Sequence, residues 1–231
     1  MRYSALALIM AAVAAPAMAD TGDIRVAVGA AYVHPNDSSS HLTNVEAAAG
    51  LPANSTEVAV NSNTQLGITI NYDVTPNWSV EVLGATPFSH DITLKAAGTP
   101  VDGMKVGKTK HLPPTVSLQY RFMEGQKVRP YIGLGVNYTT FFDTKVNGEL
   151  ATTLDSLGLT GSKKLSLSDS WGLAAQAGFD WQINDKVYIR GAVWYANIDT
   201  TAKVKVDGAT VQKVDVAIDP VVAFVGVGYR F

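Results

Sequence analysis

The sequence predicts an all-β protein, an eight-stranded antiparallel transmembrane up-and-down β-barrel. Three observations support this fold class. Eight segments alternate between apolar and small or polar residues with the period of a β-strand. Most are close to the length of about 9–11 residues with which a tilted strand crosses a bilayer. The connections between the segments are alternately long and short, as in bacterial outer-membrane barrels.

The last segment, Asp219 to Phe231, has the clearest pattern. One face is apolar and ends in two aromatic residues, and the other combines small residues with Phe224 and Arg230. This composition is typical of a strand with lipid on one side and a crowded barrel interior on the other. A strand that ends in Phe resembles the closing strand of outer-membrane barrels, so we expect Phe231 to contact the barrel assembly machinery.

Seven earlier segments repeat this alternation, and their apolar faces contain almost no charge. A lipid-facing Lys or Arg near the bilayer midplane would cost about 2–4 kcal/mol, which explains that absence. A soluble barrel would show the reverse pattern, with polar residues outside and apolar residues inside. The segments are Ile24 to His34, Gln65 to Val74, Trp78 to Thr86, Pro114 to Phe122, Arg129 to Thr140, Trp171 to Gln182 and Val187 to Asn197.

The connections predict the orientation of the barrel. Short turns at residues 75–77, 123–128 and 183–186 are expected at the periplasmic end. Long extracellular connections are expected at residues 35–64, 87–113, 141–170 and 198–218. The last connection alternates as a hairpin does, and residues 149–159 could form a short helix.

Aromatic residues are expected to form two belts where the strands leave the membrane. The predicted lower belt consists of Tyr72, Trp78, Tyr120, Phe122, Phe179, Trp181, Tyr229 and Phe231. The predicted upper belt consists of Tyr32, Tyr138, Phe141, Trp171 and Tyr195.

The N-terminus has the features of a secretory signal peptide, with Arg2, an apolar stretch and the motif Ala17-Met18-Ala19. We therefore expect residues 1–19 to be a signal peptide and residues 20–231 to be a single outer-membrane β-barrel domain. The formal charge of −2 argues against nucleic acid as a partner. The chain has no Cys, which excludes disulfides and thiolate chemistry. No later apolar run is long enough for a membrane helix.

Strand parity predicts a charged layer in the lower half of the lumen. Because buried charges must pair, we expect these side chains to form a salt-bridged floor that closes the barrel. The predicted floor residues are Arg25, Asp73, Glu81, Arg121, Arg129, Asp180, Arg190 and Arg230.

The upper half of the lumen is predicted to be an apolar cup that suits one hydrophobic ligand. Two interpretations stay open: the cup binds a ligand, or its side chains only fill the barrel. A hydrophobic molecule would not cross the charged floor, so its exit would be sideways into the bilayer, near Gly84, Pro87, Pro113 or Pro114. The candidate ligand-binding residues are Val33, Leu83, Ala85, Trp194, Val222 and Phe224.

No motif predicts an enzyme, a metal site or a cofactor. Ser89-His90-Asp91 is the only tight cluster of triad-type residues, and adjacent residues point in different directions. The other histidines, His34, His41 and His111, have no metal-ligand spacing. Gly133-Leu134-Gly135 lies within a predicted strand, where glycine relieves crowding and does not bind phosphate.

Several stretches resemble the OmpW family, and the resemblance covers the whole mature chain. It implies a monomeric eight-stranded barrel in the bacterial outer membrane, thought to pass small hydrophobic molecules. It also implies the alternative of a structural or receptor barrel, for phage or colicin, with ties to stress responses. Residues 35–64 depart most from the family pattern. The stretches that resemble the family are residues 110–115 (KHLPPT), 129–142 (RPYIGLGVNYTTFF), 172–178 (GLAAQAG) and 227–231 (VGYRF).

Overall fold

The computed structural model describes residues 22–231, so the expected signal peptide lies outside the described residues. No helix in this range has the length and apolarity needed to cross a membrane. In chain order, the elements are β1 (Ile24–His34), β2 (Ser38–Ser39), α1 (Thr43–Ala49), β3 (Glu57–Val60), β4 (Asn63–Asp73), β5 (Trp78–Ala85), β6 (Phe88–Lys95), β7 (Lys105–Leu112), β8 (Thr115–Arg121), β9 (Val128–Val146), α2 (Gly148–Ser156), β10 (Lys163–Leu167), β11 (Ser170–Gln182), β12 (Val187–Ala196), β13 (Asp199–Val206), β14 (Ala209–Ala217) and β15 (Val221–Arg230).

Eight of these strands form a closed barrel, which confirms the predicted fold class. Going round the barrel, the order is β1, β4, β5, β8, β9, β11, β12 and β15. Every neighbouring pair is antiparallel, and the ladder between β15 and β1 closes the ring. Because neighbours in the barrel follow one another along the chain, the topology is up-and-down.

Side chains alternate across the barrel wall as predicted. Leu134 and Leu173 point outward and are 72% and 74% exposed, whereas Ala27 and Ala31 point into the lumen and are at most 1% exposed. A wall with an apolar outer face suits lipid contact. Aromatic pairs such as Trp78–Tyr120 and Tyr138–Trp171 lie at the two ends of the barrel strands.

Phe141 is an exception to the predicted upper belt. Its ring lies 5.8 Å from the ring of His111 and lines a cavity above the barrel. The physical reason is parity, because position 141 continues the inward series of β9 that includes Asn137 and Thr139.

The long connections, which we expect to be extracellular, form a β-rich cap. This extracellular cap consists of β2, β3, β6, β7, β10, β13, β14, the end of β9 beyond residue 140, and both helices. The predicted hairpin in the last connection is confirmed as β13 and β14. The predicted helix at residues 149–159 is present as Gly148–Ser156. The hairpin of β6 and β7, the strand β3 and the helix α1 were not predicted.

Local hydrogen bonds fix the two helices of the cap. The side chain of Asn147 accepts a hydrogen bond from the backbone N–H of Glu149, which caps the start of α2. Gly50 ends α1 with a φ of 64°, a conformation that glycine adopts without strain. Leu150 and Leu154 of α2 then pack into an apolar core with Leu94 and Val106, which holds the cap together over the mouth of the barrel.

Candidate functional site

A layer of charged side chains crosses the lower lumen. Each of the six is at most 7% exposed. Three are arginines and three are carboxylates, so the formal charge of the layer is balanced. This charged layer consists of Arg25, Asp73, Glu81, Arg121, Asp180 and Arg190.

Ion pairs link the members of the charged layer into one chain. Arg190 contacts Glu81 at 2.6 Å and Asp180 at 2.7 Å. Arg25 contacts Asp180 at 2.5 Å and Asp73 at 2.8 Å. Arg121 contacts Asp73 at 2.9 Å. Pairing of this kind is what buried charges require, because an unpaired charge in a low-dielectric interior carries a large penalty.

Uncharged groups pack round Arg190. Its guanidinium donates to the Thr69 hydroxyl at 3.0 Å and to the Asn71 side-chain carbonyl. It also lies 5.2 Å from the ring centroid of Tyr131 and 5.6 Å from that of Tyr188. These tyrosines occupy the lumen beside the ion pairs, so the layer is filled by side chains.

Two predicted floor residues lie outside the chain of ion pairs. Arg129 is half-buried and donates to the backbone carbonyl of Pro76 at 2.8 Å. Arg230 is exposed at the periplasmic rim and pairs with Asp23. The expectation that all eight residues contact one another is therefore wrong for these two arginines. Both lie near strand ends, where water and turn carbonyls are within reach.

Above the charged layer the lumen becomes apolar. The rings of Trp194 and Phe224 meet edge to face, with centroids 6.1 Å apart. Leu83 and Val222 belong to the same buried cluster. Five of the six candidate ligand-binding residues line a small cavity here: Val33, Leu83, Ala85, Trp194 and Val222. Phe224 packs beneath Trp194 and does not line the cavity.

A second cavity lies higher, inside the extracellular cap. The volume of this upper cavity is about 60 Å³, and the volume of the lower cavity is about 30 Å³. Val33, His111, Ile198 and Pro220 line both cavities, so the two lie next to each other between the cap and the upper lumen, and together they are called the apolar column. Its lining within the described residues contains no Lys, Arg, Asp or Glu.

Sequence reasoning missed the contribution of β6 and β7 to this column. Phe88, His90 and Ile92 point inward from β6, and His111 points inward from β7. The rings of His90 and His111 stack with centroids 4.9 Å apart. The signal was present as the alternation of Phe88, His90 and Ile92 with polar neighbours, which is a strand pattern.

Burial governs the ionisation of these two histidines in the cap. It lowers the pKa of His111 from 6.5 to about 3, with a further contribution from His90. Burial also lowers the pKa of His90. Both rings are therefore neutral near pH 7 and present no positive charge to a ligand.

The wall of the barrel has a break in its ladder beside the lower cavity. The last pair between β5 and β8 is Leu83 with Thr115, and the next pair above is Phe88 with His111. Between these two pairs, residues 84–87 face residues 112–114. In the described chain, no residue of one segment forms a ladder pair with a residue of the other. Pro87, Pro113 and Pro114 contribute no N–H there. Gly84, Ala85 and Pro113 line the lower cavity, so the cavity reaches the break.

The Ser89-His90-Asp91 cluster does not assemble as a triad. His90 is buried and points into the cavity, whereas Asp91 is exposed and lies 3.9 Å from Lys108. Alternation along β6 places neighbouring residues on opposite faces. In residues 22–231, no three His, Asp or Glu side chains come close enough to hold a metal ion.

Comparison with known proteins gives consistent matches over almost the whole chain. The sequence profile of the OmpW family matches residues 20–231. Outer membrane protein W of Vibrio cholerae is 47% identical over 98% of this chain and 97% of its own length. The crystal structure of the outer membrane protein OprG from Pseudomonas aeruginosa superposes with a TM-score of 0.77 at 40% identity, covering 91% of this chain and 96% of that one. A more distant relative, the dibenzothiophene metabolism operon protein PahQ of Pseudomonas aeruginosa, is 27% identical over 73% of this chain and 72% of its own.

Proposed function

The chain belongs to the OmpW family of outer-membrane β-barrels, and on this premise we propose that it takes up small hydrophobic molecules from outside the cell. The apolar column from the cap to the upper lumen is the observation that carries the proposal. A molecule that leaves water for such a lining gains about 25 cal/mol for each Å² of apolar surface that becomes buried.

The charged layer supports an exit route that does not pass through the periplasmic end. A hydrophobic molecule that crossed the layer would separate ion pairs and leave charges uncompensated. The break between β5 and β8 offers a shorter route from the lower cavity, because Gly84 and Ala85 line the cavity at the wall. We propose that the molecule leaves there, sideways into the bilayer.

The relatives fit this substrate class. PahQ is named for an operon of dibenzothiophene metabolism, and dibenzothiophene is an uncharged aromatic molecule of low polarity. The lining of the column is predominantly apolar, includes the rings of Phe88, Phe141 and Trp194, and suits a molecule of that kind. On this proposal the protein has no catalytic role and needs no cofactor. Its partners are the outer-membrane lipid, the solute and, through Phe231, the assembly machinery, and it acts as a monomer.

A receptor function is the second candidate, and one surface favours it. Four lysines lie on the outer face of the sheet formed by β10, β13 and β14. Lys164 lies opposite Lys205, and Lys203 lies opposite Lys213. Like charges in directly opposite positions destabilise a sheet, and among these four lysines only Lys213 pairs with a carboxylate of the described residues, Asp215 at 3.5 Å, so an anionic contact from outside would relieve their repulsion.

Replacement of Trp194 distinguishes uptake from inert packing. The variant Trp194→Glu places a carboxylate in the apolar column, and we expect uptake of a hydrophobic dye into vesicles containing the protein to fall to the rate of empty vesicles. Trp194→Phe keeps an aromatic ring and is expected to retain uptake. The heat-dependent shift in gel mobility reports that each barrel is folded.

Two results would contradict the proposal. One is uptake by the folded Trp194→Glu variant at the rate of the wild-type protein. The side chains of the column would then only fill the barrel, and the receptor function would become the better proposal. The other is a steady, large, ion-unselective current in planar bilayers, because a closed charged layer allows only small or rare openings.

A further inference from the structure

His90, in the lining of the apolar column, carries a buried hydrogen-bond acceptor without a partner among the described residues. Its Nδ1 lies 2.5 Å from the backbone carbonyl oxygen of Asn61. A carbonyl oxygen only accepts, so Nδ1 must carry the proton. In the neutral ring, Nε2 then has a free lone pair, and this buried atom has no hydrogen-bond partner in the described chain.

An unpartnered acceptor at this depth is uncommon. His90 is only 2% exposed and lines the cavity in the cap. Most buried polar atoms in folded proteins have a partner, and each exception calls for a physical reason. Phe88 and His111 stack beside the ring, and no donor among the described residues reaches Nε2. A bound molecule that contributes a donor would satisfy Nε2.

From this geometry we propose that the column selects uncharged aromatic molecules that carry a hydroxyl group, with His90 Nε2 accepting a hydrogen bond from the hydroxyl and the Phe88–His111 stack contacting the ring. The inference rests on the proposed function and adds a substrate class to it. An anionic ligand is disfavoured, because the described lining contains no cationic side chain and both histidines are neutral.

Three probes of nearly the same size test the selection: naphthol, methoxynaphthalene and naphthalene. Only naphthol carries a donor. Binding to the full chain in lipid vesicles is measured by probe fluorescence, with partition into protein-free vesicles subtracted. A hydrogen bond of ordinary strength predicts that naphthol binds roughly two- to tenfold more tightly than the other two probes.

The variant His90→Phe keeps an aromatic ring and removes Nε2. We expect its affinity for naphthol to fall to the affinity for methoxynaphthalene, while binding of naphthalene persists. His34→Phe is the matched control, because His34 is an exposed extracellular histidine bonded to Ser62 and absent from the cavity lining. It is expected to keep the wild-type preference.

The outcomes separate this inference from the proposed function. Equal binding of naphthol and methoxynaphthalene by the wild-type protein overturns the inference and leaves uptake of hydrophobic molecules intact, and this comparison requires no variant to fold. A preference for naphthol that survives in folded His90→Phe also overturns the inference. If no probe binds the wild-type protein above the protein-free vesicles, the proposed function itself fails.

Discussion

The charged layer makes a quantitative prediction about Arg190. The substitution Arg190→Met removes the cation that lies between Glu81 and Asp180 and is 0% exposed in the folded barrel. Asp180 keeps its pair with Arg25, whereas Glu81 loses its only ion-pair partner among the described residues. The other carboxylate oxygen of Glu81 is already buried without a partner. One uncompensated buried carboxylate therefore remains.

Breaking a buried pair in this way is expected to lower the free energy of unfolding by about 3–5 kcal/mol. That loss is a large part of the roughly 5–15 kcal/mol that stabilises a typical folded protein. The double variant Arg190→Met with Glu81→Gln removes the orphaned charge, so it should be more stable than Arg190→Met alone. The measurement is urea unfolding in lipid vesicles, followed by tryptophan fluorescence.

Arg230→Met is the matched control. Arg230 also forms an ion pair, with Asp23, but both side chains are about 40% exposed. An exposed pair contributes only about 0–1 kcal/mol. If Arg190→Met and Arg230→Met lose the same stability, or if Glu81→Gln fails to restore any, then burial of the layer does not determine its energetic role and the reasoning is wrong.

Two further predictions concern the wall and the cap. Gly84→Leu should slow uptake without weakening probe binding, because the nearest atom to a new Cβ is Ile68 Cγ2 at 3.6 Å and the side chain would cover the break. Ala177→Leu places the same side chain elsewhere on the lipid face, and equal uptake rates in the two variants would exclude this exit. His111→Phe should reduce the acid sensitivity of folding, because the pKa of His111 is 6.5 unfolded and about 3 folded. Stability from this group is complete above pH 6.5 and is lost as the pH falls toward 3, by about 1.4 kcal/mol per unit. The free energy of unfolding is measured at pH 7 and at pH 4.5. If His111 were not buried as a neutral ring, the decrease between the two pH values would be the same in the wild-type protein and the variant.

The barrel strands could be predicted because each has lipid on one face and a packed lumen on the other. Leu134 and Leu173 on the outer face could not be charged without a penalty of several kcal/mol, so the alternation is nearly unbroken. The cap lacks this constraint, because its outer face meets water. Register shifts such as that between Ile92 and Thr93 also interrupt its periodicity. The alternation of Phe88, His90 and Ile92 was therefore too short to predict the hairpin of β6 and β7.

The charged layer shows where parity stops being informative. Parity predicts which way Arg25 and Arg230 point, and the two are directly opposite on neighbouring strands. It does not predict that Arg25 reaches Asp180 across the lumen while Arg230 turns to Asp23 at the rim. Those partners depend on the stagger of the barrel and on strand ends, which sequence spacing does not determine.

The order of the ion pairs gives the charged layer its resistance to opening. The chain of contacts runs from Arg121 on β8 to Asp73 on β4 and Arg25 on β1, then across the lumen to β11 and β12, and back across to Glu81 on β5. It therefore touches six of the eight barrel strands and crosses the interior twice. A solute that passed through would have to break at least one link. Breaking either end link, Arg121–Asp73 or Arg190–Glu81, leaves an uncompensated charge that costs about 3–5 kcal/mol. The break beside Gly84 has no ladder pair to separate within the described chain. This difference supports the proposed exit of an apolar solute through the wall.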